Sequence, residues 1–406
     1  MCKYKHLPQG WKVKKLEEIK TIEFLRGNGL PKSALNDSGK SECIHYGQLY
    51  TTYKHPVIKK VVFRTNIEGK RLSNKGDVLI PGTTTADAMG IAIARSLNVN
   101  NVVIGGDINI LRTKNMDIFS DFLSYYLNGP AKVELASYAN GTNILHLSNK
   151  KIKKILIPIP SLSEQKRIVV ILDKTFAEIT KAEAIAKTNL QNAKELFESY
   201  LNNVFENKGD DWENKRLDEL TEVKDGTHDS PKYITDGIPF VTQKNIKSDG
   251  FNIENTKFIT EVDHQKFYQR SNVTYGDILI SMIGANRGMS AIVDIKNIFS
   301  IKNVGLIKES ENINQFFLLN YLHSTFAMKY VKLMSNGGAQ EFIGLKALRA
   351  FPISFPKSKD EQQQIVKKLN SLSSETKKLE IIYQKKIDNL VELKKSILQK
   401  AFNGEL

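Results

Sequence analysis

ELFESYLNNVFENKG at residues 195–209 is written again as ELKKSILQKAFNGEL at residues 392–406. Glu195, Leu196, Ser199, Leu201 and Phe205 stand in the places of Glu392, Leu393, Ser396, Leu398 and Phe402, 197 residues later. Further anchors extend the match. GWKVKKLEEI at 10–19 pairs with DWENKRLDEL at 211–220, aligning Trp11 with Trp212, the only two tryptophans. KGDVLI at 75–80 returns as YGDILI at 275–280, each followed by a glycine-containing loop, and SLSEQKRI at 161–168 returns as SKDEQQQI at 358–365. A period near 200 residues is far above that of solenoid repeats, so the chain is one domain plus one helix, written twice.

Within each copy, short apolar runs such as VLIPG, VVIGG, ILIS and AIVDI lie between Gly, Asn and Asp turn signals, which predicts strands of a small α+β domain. Helical patterns follow at 117–128 and 314–333. Pro158, Pro160, Pro352 and Pro356 then hold the chain extended. Directly after them, Ser161-x-x-Glu164 and Ser358-x-x-Glu361 match the capping box that opens a helix. The expected segments are 1–160, a first domain; 161–207, a first helix; 208–357, a second domain; and 358–406, a second helix.

Both helices repeat apolar residues every seven positions. Leu172, Ile179, Ala186, Ala193 and Tyr200 form one series in the first, beside Ile168, Ala182 and Leu196; Leu369, Tyr383, Leu390 and Ile397 form one in the second, beside Leu372, Leu379 and Leu393. Such spacing specifies a seam for a partner helix, expected at Leu172, Ile179, Ala186, Leu379, Tyr383 and Leu390. Antiparallel packing about a pseudo-twofold axis would set Ala186 against Tyr383, a pairing that a disulfide between A186C and Y383C would test. The alternative is that each helix packs only on its own domain. The 37 residues from Ile168 to Val204 span about 55 Å, roughly one and a half turns of B-DNA.

The 59 Lys and Arg against 44 Asp and Glu leave a net charge of +15, spread along the chain, and the pI is near 9.4. A polyanion is the natural partner, nucleic acid before membrane. Two cysteines, Cys2 and Cys43, allow no disulfide framework or metal knuckle. No stretch approaches the ~18 apolar residues of a membrane span, and a cytoplasmic location is expected.

The motif search for catalysis is negative. ALNDSGKS at 34–41 has Ala34 where a phosphate-binding loop needs glycine, and FLRGNG at 24–29 lacks the rest of a dinucleotide fingerprint. There is no Pro-Pro pair of the kind that DNA amino-methyltransferases carry. IEGK at 67–70 contains a Glu-x-Lys without a convincing upstream acid for a two-carboxylate metal site. The histidines at 6, 45, 55, 146, 228, 264 and 323 include no HExxH or i, i+4 pair, so no metal site is expected. The chain reads as a binder whose catalysis lies in a partner.

Several strings, taken together, resemble the specificity (S) subunits of type I restriction-modification systems: DGTHDSPKYITDGIPFVTQKNI at 225–246, RGNGLPKSAL with CIHYGQLYTTY within 26–53, the GD-[VI]-L-I strands, the Pro-rich approach to EQ, and LKKSILQKAFNGEL. The resemblance spans essentially the whole chain. It implies two similar target-recognition domains joined by two long antiparallel helices, each domain reading one half of a split double-stranded DNA target. It also implies that the helices set the gap and dock two methyltransferase (M) subunits, and that restriction (R) subunits can join. S-adenosylmethionine is then expected in the M subunit, and ATP and Mg in the R subunit. This chain itself would bind no cofactor and would be a non-catalytic component.

Base edges are read by a few polar groups, while phosphate contacts only position the protein. The candidate readers are polar residues near glycines: His45, Tyr46 and Gln48; Thr83, Thr84 and Thr85; Gln243, Lys244 and Asn245; and Asn286 and Arg287, with Arg287 suited to guanine. The competing role for such residues is to satisfy their own turns. Gln165, Lys166, Gln362 and Gln363 are the candidates for M docking, or else solvate an outer helix face. The loops differ between copies, TTTADAMG against MIGANRGM, so a non-palindromic target is expected. A stand-alone methyltransferase or nuclease and a coiled-coil assembly protein are the rival readings.

Overall fold

The computed structural model describes residues 7–85, 87–114, 116–247, 250–335 and 341–406; Cys2 and His6 lie outside them. The chain divides into two compact units, 1–186 with 385–406, and 187–384. The long helices are Leu162–Glu206 and Lys359–Asn403. They run antiparallel, so each unit holds one mixed domain, the start of one long helix and the end of the other. The compact units therefore divide in the middles of the helices, whereas the sequence segments divide at their ends.

In the first unit, a five-stranded sheet runs in the order Ile22–Arg26, Ile108–Thr113, Asp77–Pro81, Arg95–Leu97, Val57–Ile58. A three-stranded sheet is centred on Ser41–Ile44, which pairs in parallel with Val103–Ile104. The second unit repeats the plan. Val223–Asp225, Val304–Ile307, Ile278–Ser281 and Ser290–Ile292 form an antiparallel sheet, and Ile238–Val241 pairs in parallel with Ser300–Ile301. In each copy a strand at the start of the domain pairs with one at its end: Lys12–Lys15 with Leu156–Ile159, and Trp212–Arg216 with Pro352–Pro356.

The GD motif has the same physical basis in both copies. Gly76 and Gly276 take φ of 96° and 89°, a conformation open to glycine at little cost. The next residue, Asp77 or Asp277, is buried. It accepts the Asn74 or Thr274 amide at 2.9 and 2.8 Å and pairs with Arg112 at 2.9 Å or Lys308 at 2.6 Å. A buried carboxylate needs such a cation and several donors to offset its desolvation. The apolar residues behind it, Val78–Ile80 and Ile278–Ile280, are buried in the central strand.

The 314–333 pattern folds as two helices, Gln315–His323 and Thr325–Leu333. Ser324, in an extended conformation, ends one and caps the other by accepting the Ala327 amide. At the long helices, half of each capping box forms. Ser161 and Ser358 accept the amides of Glu164 and Glu361. The Glu side chains do not reach back to their caps: Glu164 binds Arg167 and Glu361 accepts from Trp212 Nε1.

The inward series of the first long helix contains Leu172, Ile179, Ala186 and Ala193, all buried, and that of the second runs Leu369, Thr376, Tyr383, Leu390, Ile397. Leu379 is a correction to the expected seam: it is 37% exposed, while Thr376 is 2% exposed. Thr376 satisfies its hydroxyl by donating to the Leu372 and Ser373 carbonyls, which lets a polar residue occupy an apolar seam. Leu196 and Leu393 also face outward. Lys394 takes an inward place instead, its Nζ 4.8 Å over the Phe176 ring. Among the described residues, no helix is long and apolar enough to cross a membrane.

The opening repeat has a packing explanation. Phe402, at the end of the second long helix, enters the core of the first domain, with ring centroids 4.9 Å from Phe122 and 5.1 Å from Tyr126. Phe205, at the end of the first, enters the core of the second domain, 5.5 Å from Phe317 and 5.1 Å from Tyr321. Each domain therefore needs an ELxxSxLxxxF segment, supplied by the helix that the other domain starts.

Candidate nucleic-acid interface

A rim forms in each unit where the same four pieces of chain meet. In the first unit the turn after Ile22–Arg26 is drawn against the 104–108 segment: Gly27 N donates to Ile108 O and Asn28 N to Ile104 O, both at 2.9 Å. Gly226 and Thr227 repeat this with Val304 O and Ile301 O. A Cβ on Gly27 or Gly226 would overlap the carbonyl oxygen of Gly105 or Ile301, so the close approach requires glycine.

A short capped turn follows the central strand of each three-stranded sheet. His45 N donates to Gln48 Oε1 at 2.9 Å, and Thr242 N to Asn245 Oδ1 at 3.0 Å. Gln48 and Asn245 are buried. Both are the third helical residue of a capping box, a structural role that the N-cap-x-x-Gln/Asn spacing signals. Burial pushes the His45 imidazole below its ordinary pKa, Asp107 opposes this, and Lys32 adds to it. His45 Nδ1 accepts the Gly47 amide. Tyr46 is half-buried beside it.

The loop after the GD strand closes the rim. Thr83–Thr84 pairs with Leu145–His146, and Tyr50 donates to Thr83 O at 2.9 Å, joining this loop to the capped turn. Thr84 is buried, Thr83 half-buried and Thr85 exposed. In the second unit Ile283 bridges to Phe342. Arg287 is tied into its loop. Its side chain is 16% exposed; Nε donates to Ser335 Oγ, one terminal nitrogen to Gly284 O, and the other to Glu341. A guanidinium so placed holds its own loop together. Asn286 beside it is exposed.

The residues missed by sequence reading line a groove of about 580 Å³ in the second unit. Gln243 and Lys244 are on its wall with Lys247, Lys257, Lys302, Tyr233, Asn252 and Asn303; Glu254 is the one carboxylate among its described lining residues. Lys257 Nζ lies 4.1 Å over the Tyr233 ring. Four lysines around amide and hydroxyl groups suit a phosphate backbone outside and base edges within. In the first unit Arg26, half exposed, binds Gly106 O at 3.0 Å and Asp107 at 3.2 Å on the corresponding rim.

The expected docking residues divide into buried and exposed ones. Gln165 is 0% exposed: Nε2 donates to Asp117 O and Pro160 O, and Oε1 accepts the Phe119 amide. Gln362 is 1% exposed, donating to Pro356 O and accepting the Asn314 amide, both at 2.8 Å. Both glutamines clamp a helix start to its own domain. Lys166 and Gln363 are exposed, Gln363 accepting from Asn314 Nδ2. Among the described residues, no group of three or more His, Cys, Asp and Glu is placed to hold a metal ion.

The model of the type I restriction modification DNA specificity domain matches residues 8–189 and again 209–390. The MjaVIII type I restriction enzyme specificity subunit of Methanocaldococcus jannaschii is 25% identical over 98% of this chain and 94% of its own length. The EcoKI specificity subunit of Escherichia coli K12 is 23% identical over 98% and 90%. Among solved structures, the HsdS subunit from Thermoanaerobacter tengcongensis has a TM-score of 0.64 at 18% identity, covering 98% of each chain. A chain from a study of type I R-M system assembly and conformational transition has a TM-score of 0.75 at 18% identity, covering 98% of this chain and 99% of that one. The two rims built on one clamp plan thus coincide with two matches to one domain model, and the chain belongs to the type I restriction-modification DNA specificity family.

Proposed function

We propose that this chain is the DNA-reading subunit of a type I restriction-modification complex, each domain recognising one half of a split duplex target. The observation that carries the reading is the contrast between clamps shared by the two domains and rims that differ between them. Both domains share the Gly-Asp turn, the capping box, the glutamine clamp and the inserted phenylalanine, yet their rim residues differ: His45-Tyr46-Gly47 against Thr242-Gln243-Lys244, and Gly105-Gly106-Asp107 against Lys302-Asn303. A shared scaffold with different rim chemistry reads different half-sites, so the target is non-palindromic. The long helices set the gap, and their outer faces, including Lys166 and Gln363, carry M subunits. Under this reading S-adenosylmethionine belongs to M, and ATP and Mg to R. The chain contributes positioning and specificity without a reacting group.

The test is a genome-wide map of N6-methyladenine in cells expressing the chain with its M partner, beside cells expressing M alone. A split motif that requires the chain supports the proposal and gives both half-sites. An active M partner, bound to the chain, that yields no chain-dependent motif refutes it.

A further inference from the structure

Between the two hydrogen-bond anchors of the rim, the first domain runs Gly105-Gly106-Asp107 and the second Lys302-Asn303. Asn303 occupies the left-handed region at φ 52°. Asparagine tolerates it better than most residues, but glycine would do so without strain. The strained backbone presents an amide at the wall shared by the lysine-lined groove and a neighbouring cavity of about 480 Å³.

That amide is held by a chain of side chains. The His228 ring bridges it to Asp225, with Nδ1 2.7 Å from Asn303 Oδ1 and Nε2 3.2 Å from Asp225 Oδ2. Asp225, itself buried, is fixed in turn by Arg270, whose Nε and a terminal nitrogen donate to Oδ1 at 2.9 and 2.7 Å. A carbonyl oxygen has two lone pairs, so Oδ1 keeps one beyond the His228 bond. Together with Nδ2–H this forms the acceptor–donor pair that matches adenine N6 and N7 in the major groove. Lys302 and Lys257 on the same wall suit the flanking phosphates.

Resting on the DNA-reading assignment above, we infer that Asn303 is a base-reading residue of the second domain, selective for adenine, with His228 as its positioning residue. The experiment compares methylation maps of the full complex containing wild-type chain, N303G, N303D or H228A. N303G keeps the backbone conformation and removes the amide. N303D keeps the shape and removes the donor, and so serves if the glycine variant fails to fold. The expected result is a roughly tenfold to hundredfold loss of discrimination at one adenine of one half-site, with the other half-site unchanged. H228A relaxes that same position to a smaller extent. An unchanged motif in N303G or N303D, or a uniform weakening without relaxation at any base, overturns the assignment. A wild-type complex lacking any chain-dependent motif would instead sink the DNA-reading function itself, so the two failures are distinguishable.

Discussion

Phe205→Ala tests the claim that the helix begun by one domain completes the core of the other. Phe205 is 3% exposed and packs edge-on against Phe317, Tyr321 and Trp212. Truncating a buried phenylalanine costs about 3–5 kcal/mol. For a unit near 200 residues, each kcal/mol lowers the unfolding midpoint by about 2–4 °C, so the expected fall is roughly 6–20 °C. The two tryptophans report separately, since Trp11 packs in the core of the first unit and Trp212 in that of the second. In a W11F background, Trp212 emission during thermal unfolding should show the F205A midpoint falling by that amount. In a W212F background, F402A should do the same for Trp11. As a control, L196A in the repeated segment should change little, because Leu196 is exposed. If F205A lowers the midpoint seen by Trp11 and leaves that of Trp212 unmoved, the cross-supply of helix ends is wrong.

Gln362→Ala strips the Asn314 amide and the Pro356 carbonyl of their buried partner, and should destabilise the second unit by about 1–3 kcal/mol in denaturant titrations; Gln165→Ala should do the same in the first. Arg287→Ala should weaken methylation of one half-site evenly, through its loop, without relaxing any single base in methylation maps. Desolvation pushes the Cys43 thiol up to about 11, against a smaller opposing effect of Arg64. In a C2S background, iodoacetamide at pH 8 should therefore label Cys43 only as fast as the first unit opens, and rapid labelling of the folded chain would contradict its burial.

The sequence by itself determined the duplication, the strand-forming GD motifs, the proline stop before each long helix and a seven-residue seam. These are one-dimensional signals: periodicity, turn chemistry and capping act between residues close along the chain. The tertiary structure decided which polar residues were spent inside. Gln48, Asn245, Gln165 and Gln362 looked available, and each proved to be tied to backbone groups; Gln165 reaches back 46 residues to the Phe119 amide. Arg287 was fixed by Glu341 and Ser335, about 50 positions away, which no local pattern reveals. Thr376 takes a buried seam position while Leu379 is partly exposed, because seam membership depends on angular position around the helix and a threonine that bonds its own backbone can be buried there. Asn303 gained its candidate role only when the fold brought it to His228, 75 residues earlier, since an amide's orientation is set by the side chain that holds it.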